Sequence, residues 1–384
     1  MNRFFLYLKH FPANNKNLHE GTSKAVHGLA SGLAACGADV TILCEGSPES
    51  GFYKTQENYC IASFESKSTE PSFRISPNLE KYISTVAVSG QSLFILNGIF
   101  HRSVYAISRI LRKHSLPYIV APHDPYHPSI FRKNAYLKWP YWYLLEQNVL
   151  RQAHAVQVLD KRHAEWLHQL GIKTPIIEVP NGFSSTDVHP ESTLSWNTET
   201  APKFLFLGRL DAYNKGLDIL LNAFAQLTEL PDWKLTIQGP DWGDRNALEE
   251  QAKHLNLAQK VTFLEPDYNS SPSSIIAKYD IFCIASRFEG FSLSALEAML
   301  AGRVLLVSEI AGIAPHIEAS GCGVVVRADP KAIKAGLLEL LEKKSQWQEM
   351  GLRGRQYVLN NLRWNSIASR ALKEYKLLGL LSLR

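Results

Sequence analysis

Short apolar runs recur along the chain, and many of the stretches between them repeat apolar positions at three- and four-residue spacing. The runs are rich in β-branched and aromatic residues and lack strict alternation with polar ones. That pattern predicts strands buried on both faces, as in a parallel sheet covered by helices. In the first half the predicted strands are RFFLYL (3–8), ADVTILC (38–44), SLFILN (92–97), YIVAP (118–122), AVQVL (155–159) and PIIEV (175–179). In the second half they are KFLFLG (203–208), WKLTIQG (233–239), KVTFLE (260–265), DIFCIA (280–285), RVLLVS (303–308) and CGVVVR (322–327). Helical spacing fills the gaps, beginning near Thr22–Cys36 and ending in a long helical run at the C-terminus.

Alternation of this kind is the mark of βαβ units. The segment 48–90, rich in Ser, Glu and Lys, predicts no definite element, whereas 180–203, with its Pro, Gly, Ser and Thr, reads as a linker. The expected fold class is therefore α/β, with two Rossmann-like, doubly wound domains in tandem. The first covers 1–185 and the second 186–363. Ligands of such sheets sit at the carboxyl ends of the strands, which puts a substrate in a cleft between the domains.

Composition changes this picture little. The net charge of +5 on 384 residues is mild. It is evenly spread, with 19 Lys and Arg against 16 Asp and Glu up to residue 200, and 22 against 20 after it. No basic stripe points to nucleic acid. Five scattered cysteines without a CxxC pair argue for a reducing compartment rather than a disulfide framework or a zinc site. The N-terminal apolar run is too short for a signal peptide, and no stretch is long and apolar enough to span a bilayer. A cytoplasmic protein is expected.

Two stretches carry candidate chemistry. In LGRLDAYNKGLDILLNAF (207–224) a strand ends at Gly208, Arg209 follows, and Lys215 stands at the entry to a helix. Two cations thus meet at the mouth of a sheet. The spacing is not that of a Walker A loop, and no GxGxxG follows a strand. In SRFEGFSLSALEAMLAG (286–302) Glu289 and Glu297 flank a Gly-Phe-Ser turn at a helix start. Ser294 and Glu297 fit a capping box. Alternatively, the turn grips a ligand, with N–H groups on a phosphate and carboxylates on hydroxyls. A glycosidase pair is excluded, because eight helical residues would set the carboxylates ~12 Å apart, beyond the roughly 5–9.5 Å that hydrolysis needs.

Together these stretches resemble the family 4 glycosyltransferases of GT-B fold, which carry a Gly-Arg…Lys-Gly motif followed by Glu-x7-Glu. VPNG (179–182) resembles the family's interdomain signature, and LRWNSIASRALKEYKLL its closing segment, whose helix (364–384) crosses back to the first domain. The resemblance implies a retaining transfer from a nucleotide diphosphate sugar, UDP or GDP, to a glycan, lipid-linked or small-molecule acceptor in polysaccharide or glycolipid biosynthesis. It assigns no cofactor. It makes the first domain the acceptor side and the second the nucleotide-sugar side. Arg209 and Lys215 match the pair that holds the diphosphate, Glu289 the contact to donor-sugar hydroxyls, and Glu297 the contact to the ribose. Gly208 and the backbone of Gly290, Phe291, Ser292 and Leu293 complete the donor site.

The chemistry of the bond agrees with those assignments. Breaking the anomeric C–O bond leaves charge on the diphosphate, and one preorganised donor there is worth roughly 3–4 kcal/mol. No D-x-D metal motif appears. The front-face mechanism suggested for such enzymes passes the acceptor's proton to the departing phosphate oxygen, with no protein base. In APHDPYHP (121–128) the resemblance places His123 against the donor sugar; a plain loop histidine, or a metal pair with His127, are the competing readings. NNKNLHEGTSKAVHGLASGL (14–33) resembles the loop and first helix that face diphosphate and acceptor, through His19, Glu20 and Gly21. The family's usual residues are replaced at Ser292, Glu265 and His316, which bears on donor identity. Basic, aromatic FRKNAYLKWPYWYLLEQ (131–147), interrupted by Pro140, suits peripheral contact with a membrane, an acceptor-stacking surface, or packing in the first domain's core. The alternatives to transfer are an epimerase or hydrolase of the same fold, and a silent sugar-nucleotide-binding protein.

Overall fold

The structure, a computed structural model, describes residues 2–381 apart from 13–17, 19, 47–49, 67–71, 89–91, 133, 189, 192–193, 197–200 and 229–231. The chain divides into two compact units, Met1–Gly182 with Trp364–Arg384, and Phe183–Arg363.

In the first unit the elements run β1 (Arg3–Tyr7), α1 (Gly21–Ala35), β2 (Asp39–Glu45), β3 (Gly51–Lys54), β4 (Cys60–Phe64), α2 (Pro77–Val88), β5 (Ser92–Asn97), α3 (Arg102–Lys113), β6 (Tyr118–Ala121), α4 (Pro128–Arg132), α5 (Ala135–Tyr141), a π-helical turn (Trp142–Glu146), α6 (Gln147–Gln152), β7 (Ala155–Val158), α7 (His163–Gln169) and β8 (Ile176–Glu178). The strands form one sheet in the order β3-β4-β2-β1-β5-β6-β7-β8. All neighbours are parallel except β3 and β4. Central strands such as β1 and β5 are buried nearly throughout, which is why their sequences read as unbroken apolar runs.

The stretch 48–90, which predicted nothing definite, supplies the sheet's β3–β4 edge and α2. Strand β3 is mostly exposed, so it has no apolar face to betray it.

Residues 131–147 depart from the sequence reading in two ways. Pro140 does not interrupt the helix: it lies inside α5, and the chain continues into the π-turn, the kind of wide turn that absorbs a missing backbone donor. Nor do the aromatics all enter the core. Phe131 and Trp142 are buried, but Tyr136, Leu137, Trp139, Tyr143 and Leu144 are exposed. Among the described residues, no helix is long and apolar enough to cross a membrane.

The second unit runs β9 (Lys203–Leu207), α8 (Leu217–Ala225), β10 (Lys234–Gln238), α9 (Arg245–His254), β11 (Val261–Leu264), α10 (Pro272–Ile276), β12 (Ile281–Ile284), α11 (Leu293–Leu300), β13 (Val304–Ser308), α12 (Ala314–Ser320), β14 (Gly323–Val326), α13 (Pro330–Glu342) and α14 (Trp347–Asn361). Its sheet is parallel, in the order β11-β10-β9-β12-β13-β14. Part of the linker reading, 189, 192–193 and 197–200, lies outside the described residues.

The last helix, α15 (Trp364–Leu377), belongs to the first unit and packs on α1. Gly28 and Gly32, one turn apart on α1, make that contact: a Cβ on Gly28 would overlap the Trp364 indole, and one on Gly32 would press on the Trp364 carbonyl. Further along α15, the buried Tyr375 hydroxyl donates to Gln157 Oε1 at 2.7 Å. In both sheets the strand order reverses once, between β1 and β5 and between β9 and β12. Such switch points open a crevice at the carboxyl ends of the strands.

Candidate active site

In the second unit, the loops after β9 and β12 meet at the switch point. Gly208 follows β9, its N–H donating to Gln238 O, and Gly239 lies so close to it that a Cβ there would overlap the Gly208 carbonyl. Arg209 follows, exposed, with its guanidinium 4.3 Å from the Trp242 ring centroid. Buried Asp211 shapes the next turn, accepting from the Asn214 backbone at 3.1 Å and from Asn214 Nδ2 at 2.6 Å. Gly216 then adopts φ +64°, and a Cβ there would overlap the Ala285 carbonyl oxygen. This close approach brings Lys215 beside the loop after β12. Lys215 Nζ lies 2.6 Å from Glu289 Oε2, with side-chain exposures of 16% and 11%. Ser286 Oγ donates to the same carboxylate oxygen at 3.2 Å.

A second contact ties the two loops. Arg287 forms a two-pronged pair with Asp218, both distances 2.6 Å, and donates to Tyr213 O. Its backbone N–H reaches Asn214 O. Neither Arg287, Asp218 nor Trp242 stood out in the sequence, because nothing local marks a partner 69 residues away. Arg245, which opens α9, pairs with Glu249 and Glu265, so Glu265 stands in an ion pair on the surface.

The turn before α11 corrects one reading. The helix begins at Leu293 and is capped by Ser292, whose Oγ accepts from Ala295 N at 3.3 Å. Ser294 is therefore not the cap, and Glu297 lies in the middle of the helix, half-buried, rather than at the third position of a capping box. Ser292 has φ +64°, an uncommon conformation for a side chain of this kind, which accounts for glycine being usual there in the family it resembles. Gly290 and Phe291 are buried, and the Phe291 ring packs 5.6 Å from His316. The first-turn N–H groups of α11 thus start four residues after Glu289.

His123, Glu20 and Gly21 belong to the first unit. His123 follows β6 at φ +65°. Its Nε2 lies 2.7 Å from Asn97 Oδ1. Asn97 is oriented by its own Nδ2, which donates to the carbonyls of Tyr7 and Ile95. Oδ1 can only accept, so His123 carries its proton on Nε2. Burial holds the imidazole down to about 4, neutral at pH 7, leaving Nδ1 as an acceptor. His127 is engaged differently: Nδ1 meets Ser129 Oγ at 2.6 Å and the ring packs on Trp166. Among the described residues no group of three His, Cys, Asp or Glu is placed to hold a metal. Glu20 is the exposed N-cap of α1, without a side-chain cap bond, and Gly21 is the first helical residue. His19 lies outside the described residues.

Comparison with known proteins yields two family models. "Glycosyl transferase 4-like domain" matches residues 20–182 and "Glycosyl transferases group 1" residues 194–357. The chain is 26% identical over 242 residues to the phosphatidyl-myo-inositol mannosyltransferase of Mycobacterium tuberculosis, covering 60% of this chain and 62% of that protein. It spans less than two thirds of the length of the curated relatives it matches. The structure is similar to that of a sucrose-phosphate synthase from Thermosynechococcus elongatus, with TM-score 0.76, 18% identity and full coverage of both chains. It is also similar to Anabaena HepE in complex with UDP and glucose, with TM-score 0.74 and 15% identity over 98% of this chain and 100% of that one. At these identities the structural likeness bears on the fold.

Proposed function

The chain belongs to the family 4 glycosyltransferases and has their GT-B fold, and from that premise we propose that it is a retaining, metal-independent hexosyltransferase. It moves a sugar from a nucleotide diphosphate sugar to a hydroxyl of a glycan, lipid-linked or small-molecule acceptor. The observation that carries the reading is the meeting of Lys215 and Glu289 at the switch point of the second sheet, beside the start of α11.

In this reading Arg209, Lys215 and the N–H groups from Gly290 to Leu293 hold the diphosphate. The bond from the anomeric carbon to the phosphate oxygen breaks, and its electron pair leaves with the nucleoside diphosphate. The acceptor oxygen bonds to the same face of that carbon and gives its proton to the departing phosphate oxygen. The fixed positive charge lowers the barrier because it is in place before charge develops. Glu289 accepts hydrogen bonds from sugar hydroxyls, and Glu297 from the ribose. Neutral His123, with Nδ1 as an acceptor, receives a hydrogen bond from a hydroxyl of the donor sugar, a role an imidazolium would not fill. That HepE is solved with UDP favours a uridine donor.

We place the protein in the cytoplasm, peripheral to the membrane. The exposed face of Tyr136, Leu137, Trp139, Tyr143 and Leu144 supports this. The only carboxylate of residues 128–152, Glu146, is buried, against the bases Arg132, Lys133, Lys138 and Arg151. Aromatic and basic side chains together favour a bilayer interface.

Calorimetric titration with UDP, GDP, UDP-glucose and GDP-mannose tests the donor reading. At least one should bind and raise the melting temperature. Binding by none would overturn it, and catalytic silence would show as binding without acceptor-dependent transfer.

A further inference from the structure

The first unit has its own crevice at the β1–β5 switch point, a cavity of about 160 Å³ enclosed by the chain after β1, β5 and β6 and by the starts of α1 and α3. Lys9 and His10 enter it from the end of β1, and His101 from the end of β5. Among the described residues none of the three forms an ion pair. The His101 ring lies against Gly98, where a Cβ would come within 2.6 Å of Cδ2, so the glycine lets the imidazole into the crevice. Burial first, then the neighbouring His10 and Lys9, hold His101 below the ordinary imidazole value. Three basic groups are thus crowded together. His101 is also the N-cap of α3, a twelve-residue helix, and makes no side-chain cap bond; the first N–H groups of that helix add partial positive charge to the same wall. Glu20 and Asp124 also line the cavity, both exposed.

Basic groups that make no ion pair among the described residues, at a switch point and a helix start, suit a phosphate ester; the carboxylates that line the same cavity suit hydroxyls. We propose that this cavity binds the phosphate group of a phosphorylated acceptor, through Lys9, His10, His101 and the start of α3, with Glu20 and Asp124 accepting from hydroxyls of the same molecule. This deepens, and rests on, the transferase reading, since it names the acceptor class.

Inorganic phosphate and glycerol 3-phosphate are the probes, titrated against the full chain, against Lys9→Ala/His101→Gln, and against Lys215→Ala. With the donor site filled by saturating UDP or GDP, we expect the double variant to weaken both probes at least tenfold, and UDP or GDP itself to be weakened by Lys215→Ala and not by the double variant. Equal probe affinity in wild type and the double variant would overturn the proposal; if the double variant fails to fold, Lys9→Gln alone gives the same comparison. Loss of nucleotide binding in every protein would sink the donor reading while leaving the phosphate comparison legible. Vesicles of phosphatidylcholine with and without phosphatidylglycerol separate the two sources. Glycerol 3-phosphate binding lost in the variant assigns a free phosphate ester, whereas variant-sensitive binding to the anionic vesicles alone assigns a lipid headgroup. Neither response being variant-sensitive would again overturn the proposal.

Discussion

The Lys215 ammonium and the Glu289 carboxylate, 74 residues apart in sequence, lie 2.6 Å from each other, both largely shielded from solvent. A pair so placed holds each side chain in position, and it also means that a diphosphate arriving at Lys215 competes with a carboxylate already there. Glu289→Gln removes that competitor and a negative charge. We expect it to bind bare UDP or GDP several-fold more tightly, yet to transfer sugar about a hundredfold more slowly, because the sugar hydroxyls lose their acceptor. Calorimetry and steady-state rates on one preparation check this, and a variant that weakens both nucleotide binding and transfer alike would contradict it.

Gly216 is what allows that contact. Its φ of +64° and the overlap a Cβ would make with Ala285 O leave no room for a side chain. The left-handed conformation alone costs roughly 1–2 kcal/mol for an L-residue, and the collision adds to it. Gly216→Ala should therefore destabilise the second unit by more than about 2 kcal/mol in urea titrations. A change within about 0.5 kcal/mol would show that the loop can sit elsewhere.

Ser292 combines a strained backbone with a useful cap, and two substitutions separate the two effects. Ser292→Ala keeps φ at +64° and loses the bond to Ala295 N, for an expected loss of about 1–2 kcal/mol. Ser292→Gly loses the same bond but relaxes the backbone, so its stability should stay within a few tenths of a kcal/mol of wild type. Equal losses in the two variants would refute this division.

Glu146 makes stability depend on pH. It is buried, accepts from Phe100 N at 3.0 Å and Tyr126 OH at 2.7 Å, and burial pushes its carboxyl up to about 7. A carboxyl whose folded value lies above its unfolded value of 4.5 favours the fold when protonated. This group's contribution is full below pH 4.5 and is lost as pH rises through 7, by roughly 3 kcal/mol in all. His123, held low, acts in the opposite sense: its contribution is full above about 6.5 and fades as pH falls toward 4. Comparing wild type with Glu146→Gln cancels His123 and every other shared group. The gap between the two proteins should open between pH 5 and pH 8, with the glutamine variant gaining at the higher pH. Parallel profiles would contradict the assignment.

How much of this was legible in the sequence varies with the kind of interaction. Strands such as β1, β5, β9 and β12 are buried on both faces and announce themselves as apolar runs. Edge strand β3 is solvated and left no such trace. At the candidate site, Lys215 and Glu289, which the structure brings together, were both singled out from the sequence. The cap was not: Ser292 and Ser294 are equally good capping residues, and the choice is made by a positive φ that sequence does not display. The Arg287–Asp218 strap and the Asn97–His123 contact are long-range, set by how the sheets are wound rather than by any local pattern. For the aromatic run on α5 and the π-turn the sequence left membrane contact, stacking and core packing open, because a mixed run of Trp, Tyr and Leu reads alike whether it lines a core or meets an external surface.

The most direct test of the donor site is nucleotide affinity in Arg209→Ala and Lys215→Ala, each first verified as folded by its circular dichroism and melting curve. With UDP and GDP as ligands, we expect each substitution to weaken binding of the preferred nucleotide at least tenfold, and the corresponding nucleosides, which lack phosphates, to be unaffected. Wild-type affinity for both nucleotides in both variants would mean that these two cations do not hold a diphosphate.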